Sequence, residues 1–462
     1  MPSASDPSSA LDPGSTTSLA MARTWNSDMT AVLPLMPGLE EAALAPMGRF
    51  SRGHRASVWL LLVLTAGGIA AFIYQFSTGI GVTGMNDRVF WGIYTVDLVT
   101  FIGFSYGGAL VSAILRLTNA SWRGPISRLA EGTALATLAV GALFPLASDG
   151  HPERVWRLIT ALQINSPILW DMVAIITYLI ATLVFFALPV VADMGRLQSA
   201  DSIVGWRRRW FRAGAFGWSG TAEQHRVLHR SLTTIAIIII PLAVMVHTVL
   251  SYAFSLTSRP GWHSTIFGPY FVMAAIYSGV ALVVVVIVVF RRVHHLERWI
   301  PERAIINLGY LMAALGVLYG YLLFTEVTTE GYVGAEATEK LLYALLLDRW
   351  SVLFWAFVFG GLVVPLLIVA FRRTRTVAGM TVAASLVVVA FFIKRFLMFI
   401  PPLTEPLIGE EVGGYAPSWV EIVVTVGAVA AIPLLLIGMF KVVPVLAVVE
   451  IEEISSAREE SA

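Results

Sequence analysis

Ten stretches of apolar residues divide this chain, and each is long enough to cross a bilayer as a helix. Roughly 20 helical residues cover a hydrocarbon core of about 30 Å. The pattern predicts spans at 57–76, 90–117, 126–148, 167–193, 231–255, 265–290, 304–325, 350–371, 377–400 and 418–440. The polar residues between them are sorted by charge. Arginines precede every odd span: Arg49, Arg52 and Arg55; Arg116 and Arg123; Arg207 to Arg209, Arg212, Arg226 and Arg230; Arg291, Arg292, Arg298 and Arg303; Arg372, Arg373 and Arg375. The other loops carry mostly acids, aromatics and prolines. The positive-inside rule then puts both termini in the cytoplasm and turns the loops near 77–89, 149–166, 256–264, 326–349 and 401–417 outward. The expected fold is an all-α integral membrane protein with a transmembrane domain over 51–450.

Composition agrees, with 57% hydrophobic against 13% charged residues. The net charge of +1 gives no reason to expect nucleic acid, because topology accounts for the basic residues. Residues 1–50 are expected to be a disordered or interfacial cytoplasmic segment. Its Ser, Pro and Ala-rich start lacks the pattern of a cleaved signal peptide, and 33–47 could lie along the membrane surface. Loop 194–230, with Trp206, Trp210 and Trp218 among arginines, suits the headgroup zone. Residues 451–462 read as an acidic cytoplasmic tail.

The chain has no cysteine, so it can hold no iron–sulfur cluster by its own thiolates and no disulfide. Of its eight histidines, His247 alone falls within a span. A haem held between helices by paired histidines is therefore not expected, nor a metal site.

Ionisable residues at membrane depth are costly and mark substrate or proton pathways by default. Asp97, Asp171, His247, Lys394, Arg395 and Glu421 all fall toward the outward ends of their spans. The loops 149–156 and 259–263 add His151, Arg154, Trp156 and Trp262. Together they predict one polar pocket near the outer surface. Structural alternatives exist: snorkelling for Lys394 and Arg395, helix capping for Glu421, a helix N-terminus for Asp171. Glu131 lies near the cytoplasmic side and has the spacing to pair with Arg128. A faint repeat lays Gly92, Tyr94 and Gly103 on Gly268, Tyr270 and Gly279, and Glu131 on Asn307, with halves near 90–255 and 265–400.

The motifs Phe90-Trp-Gly-Ile-Tyr94, Trp122 to Glu131, Gly150-His-Pro-Glu-Arg-Val-Trp156, Val246 to Ser251, Pro260 to Phe271 and Tyr415 to Ile422 resemble those of the NrfD/PsrC polysulfide reductase membrane subunits. The ten-span form is most similar to the quinone-interacting subunits of alternative complex III and related molybdopterin or iron–sulfur membrane complexes. The resemblance implies two pseudo-symmetric four-helix bundles plus two extra helices in a bacterial or archaeal cell membrane. It further implies a quinone or menaquinone bound near the outer face, and electron exchange with an iron–sulfur protein docked there. The chain departs from it at Lys394-Arg-Phe396, where relatives often have Glu-Arg-Phe, and at Ser105 to Ala109, where some carry histidine.

Quinone chemistry moves protons with electrons, which makes His247, Asp97 and Asp171 the expected catalytic groups. His151, Arg154, Trp156, Trp262, Arg395 and Glu421 join His247 as expected quinone-binding residues. Glu131, Asn307 and Lys394 are expected on any proton path. Two other classes remain open at this point: a transporter of a small solute or ion, and a purely structural anchor.

Overall fold

The structure is a computed structural model that describes residues 35–49, 51–405 and 413–461. The part of the expected N-terminal segment over residues 1–34 lies outside the described residues. Among the described residues, ten helices are long and apolar enough to span a membrane: α1 Arg52–Thr78, α2 Gly92–Leu117, α3 Gly124–Ser148, α4 Pro167–Leu197, α5 Ala222–Ser255, α6 Phe267–Val293, α7 Glu302–Val333, α8 Ser351–Ala370, α9 Val377–Thr404 and α10 Trp419–Phe440. They overlap the predicted spans one for one. The largest extensions are polar, at the start of α5 and the end of α7. Polar sequence can continue a helix beyond hydrocarbon, so hydropathy sees only the buried part.

Helices α2 to α5 pack as one bundle and α6 to α9 as a second, with α2 and α6 touching along the centre. In their most apolar windows α2 is 89% and α6 72% buried, against 11% for α1. The two central helices cross where side chains are absent. A Cβ on Gly107 would lie 1.9 Å from the Gly279 carbonyl carbon. Close backbone approach of this kind is how helices associate when lipid is as apolar as their own side chains. The outlying pair α1 and α10 uses the same device at Gly68 and Gly427, and α10 fastens the pair to α3 and α2.

Prolines inside helices leave carbonyls that water cannot reach, and side chains from neighbouring helices answer them. An α-helix would point the missing N–H of Pro365 at Gly361 O; Tyr277 of α6 donates its hydroxyl there instead, at 2.8 Å. Helix α8 widens at the same place, with Val364 N–H reaching back to Phe359 O. Pro402 likewise orphans Met398 O, which accepts the indole N–H of Trp262 at 2.7 Å. Tyr277→Phe should strand the Gly361 carbonyl and lower the thermal midpoint in detergent, at a cost of about 1–3 kcal/mol. An unchanged midpoint would mean that the widened turn satisfies that carbonyl by itself.

At the arginine-rich end, the residues expected as a free acidic tail form a docked helix, Val448–Ser461. Glu450 accepts from Arg116 at 2.9 Å and Arg123 at 2.7 Å, and Glu452 pairs with Arg196 at 2.9 Å. The arginines on which the expected topology rests are thus partly counter-charged from within the chain. Short helix Leu39–Leu44 buries Leu39 and Ala43 beside this element, Val445 N–H donating to Ala43 O.

Candidate functional site

The sequence predicts one outer pocket, and the structure divides its residues among three places. The first lies between the two bundles. His247 of α5 is fully buried, its ring 4.4 Å from that of Tyr106 (α2) and 4.9 Å from that of Phe271 (α6). Neither ring nitrogen has a hydrogen-bond partner among the described residues. From the opposite side comes Arg395 of α9, 2% exposed, donating to Ser278 Oγ at 2.9 Å and Phe391 O at 3.3 Å, its guanidinium 5.3 Å from the Phe104 ring centre. Gly103 is what lets them meet. A Cβ there would fall 2.6 Å from Arg395 Nη2 and 3.3 Å from His247 Nε2.

Two more buried polar atoms face this region without partners, the Tyr106 hydroxyl and Asp171 Oδ1 of α4, and Asp171 lies close enough to Tyr106 to act on it electrostatically. The Tyr178 ring lies tilted against that of Tyr106, 5.0 Å between centroids, and its hydroxyl accepts from Ser105 Oγ at 3.4 Å. Buried polar atoms normally find a partner, so several orphans in one spot mark a place for a polar ligand or water. Tyr106, Tyr178 and Ser278 escaped sequence reasoning because uncharged hydroxyls inside a span raise no electrostatic alarm. The alternative reading of Arg395 as a snorkelling residue is not what the structure shows: the face of α9 that carries it is turned into the bundle by packing against α6 and α2.

The second place lies between α1, α2 and α10. Asp97 is fully buried and accepts from Thr425 Oγ1 at 2.6 Å, while its other oxygen has no partner. Glu421 makes the capping box of α10 with Ser418, as its alternative reading had it. It also accepts from Gly84 N–H at 2.6 Å and the Tyr415 hydroxyl at 2.7 Å. Burial, and then the neighbouring Glu421 carboxylate, push the Tyr415 hydroxyl well up, so it stays a donor. The Tyr94 hydroxyl bonds Gln75 Oε1 at 2.5 Å, and Gln75 reaches Ala147 O at 2.8 Å. Every bond to Glu421 ties a chain turn to a helix end. Glu421→Ala should therefore reduce assembled protein and lower its thermal midpoint, with turnover per assembled molecule unchanged; a selective loss of turnover would instead make it a ligand-binding group.

The third place is an open cleft beyond α9, which Lys394 enters. Lys394 is buried rather than snorkelling, its Nζ 5.2 Å from the Tyr270 ring centre.

Other expected site residues lie apart. His151 and Arg154 are exposed and bond or pair with Glu153 at 2.9 and 3.6 Å, and Trp156 is 56% exposed. The structure does not bring these three to His247. Trp262 is buried against Phe254 and Phe399, with its N–H committed to Met398 O, so it is a packing element here. Glu131 does not pair with Arg128. It accepts from Ser112 at 2.6 Å, while Arg128 turns across the bundle to an ion pair with Asp193. Asn307 is half-buried on α7, in the other bundle.

The pattern of the polysulphide reductase NrfD family matches residues 81–405, which takes in both bundles, the place around His247 and the cleft that Lys394 enters. The chain belongs to the NrfD family. A dimethyl sulfoxide reductase membrane subunit assigned in Halobacterium salinarum is 26% identical to this NrfD protein over 87% of the chain and 93% of its own length. A selenate reductase subunit of Mesobacillus selenatarsenatis is 25% identical, covering 82% and 91%. An Hdr-like menaquinol oxidoreductase integral membrane subunit of Archaeoglobus fulgidus is also 25% identical, covering 86% and 96%. As an NrfD protein with ten apolar helices, the chain is a multi-pass protein of the cell membrane.

Proposed function

We propose that this NrfD protein is the quinone-binding membrane subunit of a multi-subunit oxidoreductase, and that the quinone headgroup meets the chain at His247. The convergence of unpartnered buried atoms from His247, Tyr106 and Asp171, with Arg395 opposite, carries this reading. A quinone carbonyl accepts hydrogen bonds and a quinol hydroxyl donates them. His247 serves both forms, since a neutral imidazole presents one donor and one acceptor. Tyr106 adds a donor, Asp171 a group that can take up or return a proton, and Arg395 fixed positive charge beside the ring. The aromatic walls, Phe271 and Phe104, match a flat ring. Asp97 lies in the separate α1–α2–α10 place, and under this proposal it exchanges protons at one remove.

The chain supplies no thiolate, so the electrons pass to or from a partner subunit. The family resemblance implies that this partner is an iron–sulfur protein, of molybdopterin-complex or alternative complex III type, and the charge pattern of the loops supports its docking on the face away from the arginines. Glu131, buried with one unpartnered oxygen near the arginine-rich end, is the proton-holding group on that side if protons are moved.

The test is purification of the tagged protein from its own membrane, identification of what accompanies it, and titration of a quinol analogue. Iron–sulfur subunits in the preparation, with analogue affinity weakened about tenfold or more by Asp171→Asn, would support the proposal. A lone polypeptide that binds no quinol would overturn it and favour transport.

A further inference from the structure

We propose that the cleft entered by Lys394 is a second binding site in the membrane, for a neutral amphiphile whose polar ring both accepts and donates hydrogen bonds: a quinone or quinol. The proposal rests on the reading that this protein works on quinones, and it assigns binding alone.

The cleft opens between α6, α7, α9 and the short helix Glu336–Leu346, with an empty volume of about 590 Å³ including its mouth. The part of it open to the centre of a water-sized sphere is about 60 Å³, and the rest is its open mouth. Its wall is mainly apolar, with Leu341, Leu342 and Leu345 along one side. Polar chemistry comes from Lys394, Glu326 and Glu330. Lys394 is 9% exposed, and its Nζ lies 5.2 and 5.6 Å from the ring centres of Tyr270 and Phe357. Among the described residues no carboxylate lies within ion-pair distance of it. Glu326 is occupied on one side only, accepting from Ser264 Oγ at 2.9 Å.

The charges select the occupant. A phosphate or carboxylate would face two acids against one ammonium, and a cation would face Lys394. A purely apolar molecule would leave a buried ammonium without an acceptor, a cost of several kcal/mol in principle. A neutral ring avoids all three penalties: Lys394 donates to a carbonyl, a glutamate accepts from a hydroxyl, Tyr270 and Phe267 cover the ring and the leucines cover a tail. The site is distinct from that at His247. Lys394 and Arg395 are neighbours on α9, so their side chains leave the helix about 100° apart. One enters the cleft, and the other enters the space between the bundles.

The test is photolabelling of the whole complex in nanodiscs with an azidoquinone, followed by peptide mapping. Adducts are expected both within residues 323–346 and around Tyr106 and His247. Lys394→Met should abolish the first set and spare the second. Leu345→Trp, which fills the mouth and leaves Lys394 in place, should do the same. Adducts confined to the His247 region in wild type would overturn the second site and leave the first. Adducts confined to 323–346 would do the reverse, and no adducts at all would overturn both. A phospholipid retained by wild type in native mass spectrometry, and lost in both variants, would also overturn the proposal.

Discussion

Replacing His247 with phenylalanine is expected to cut quinol-linked turnover by about two orders of magnitude while the complex still assembles. Positioned proton transfer contributes about 10²–10⁴ to a rate, and His247 is the imidazole placed between the bundles. Phenylalanine keeps the volume and the aromatic contacts with Tyr106 and Phe271, and the ring nitrogens hold no partner among the described residues whose loss would destabilise the fold. Turnover per assembled complex and the thermal midpoint must be measured together. If His247 only packs the interface, the two will fall in parallel or not at all. A variant that retains turnover and quinol affinity would remove the histidine from the chemistry.

A comparably large effect on stability is expected at Arg128. Its side chain is fully buried, ion-paired with Asp193, and donates to Phe186 O at 3.1 Å, one turn before Pro189. Asp193 in turn accepts from Val449 N–H at 2.9 Å, at the start of the docked terminal helix. Arg128→Met leaves a carboxylate in a dry interior, and removing one member of a buried pair costs about 3–5 kcal/mol. The double variant Arg128→Met/Asp193→Asn leaves no charge and keeps an acceptor for Val449, so it should recover most of the lost thermal midpoint. A double variant as unstable as the single one would mean that shape at this junction matters more than charge. Both should loosen the terminal helix, read as faster proteolysis after Val449.

These residues show where sequence reasoning stopped. Arg128 and Glu131 have helical spacing, and local spacing made pairing one of two readings of Glu131. The partner that Arg128 takes is on α4, and nothing along the chain encodes which faces of α3 and α4 meet. Lys394 and Arg395 sit near a helix end, which left snorkelling open as an alternative and put both in one expected pocket, yet packing of α9 turns them inward to different compartments. The capping reading of Glu421 was legible because its partner, Ser418, is three residues away. Glu326 and Glu330 were passed over as outer-loop acids, since hydropathy ends α7 before the helix does.

The sequence by itself determined the number of spans, their limits in hydrocarbon, the absence of thiolate ligands and the short list of costly charges. Each follows from one-dimensional physics: bilayer thickness sets segment length, and burial of charge is expensive wherever it falls. Only the tertiary structure decided which charges meet. It joined His247 to Arg395 across Gly103, sent Lys394 into its own cleft, spent the N–H of Trp262 on a carbonyl orphaned by Pro402, and left His151, Arg154 and Trp156 on the surface. The reason is rotational. Hydropathy fixes how deep a residue lies, but which way it points around a helix is set by packing, here by glycines that allow α2 and α6 to cross and so orient every helix laid against them.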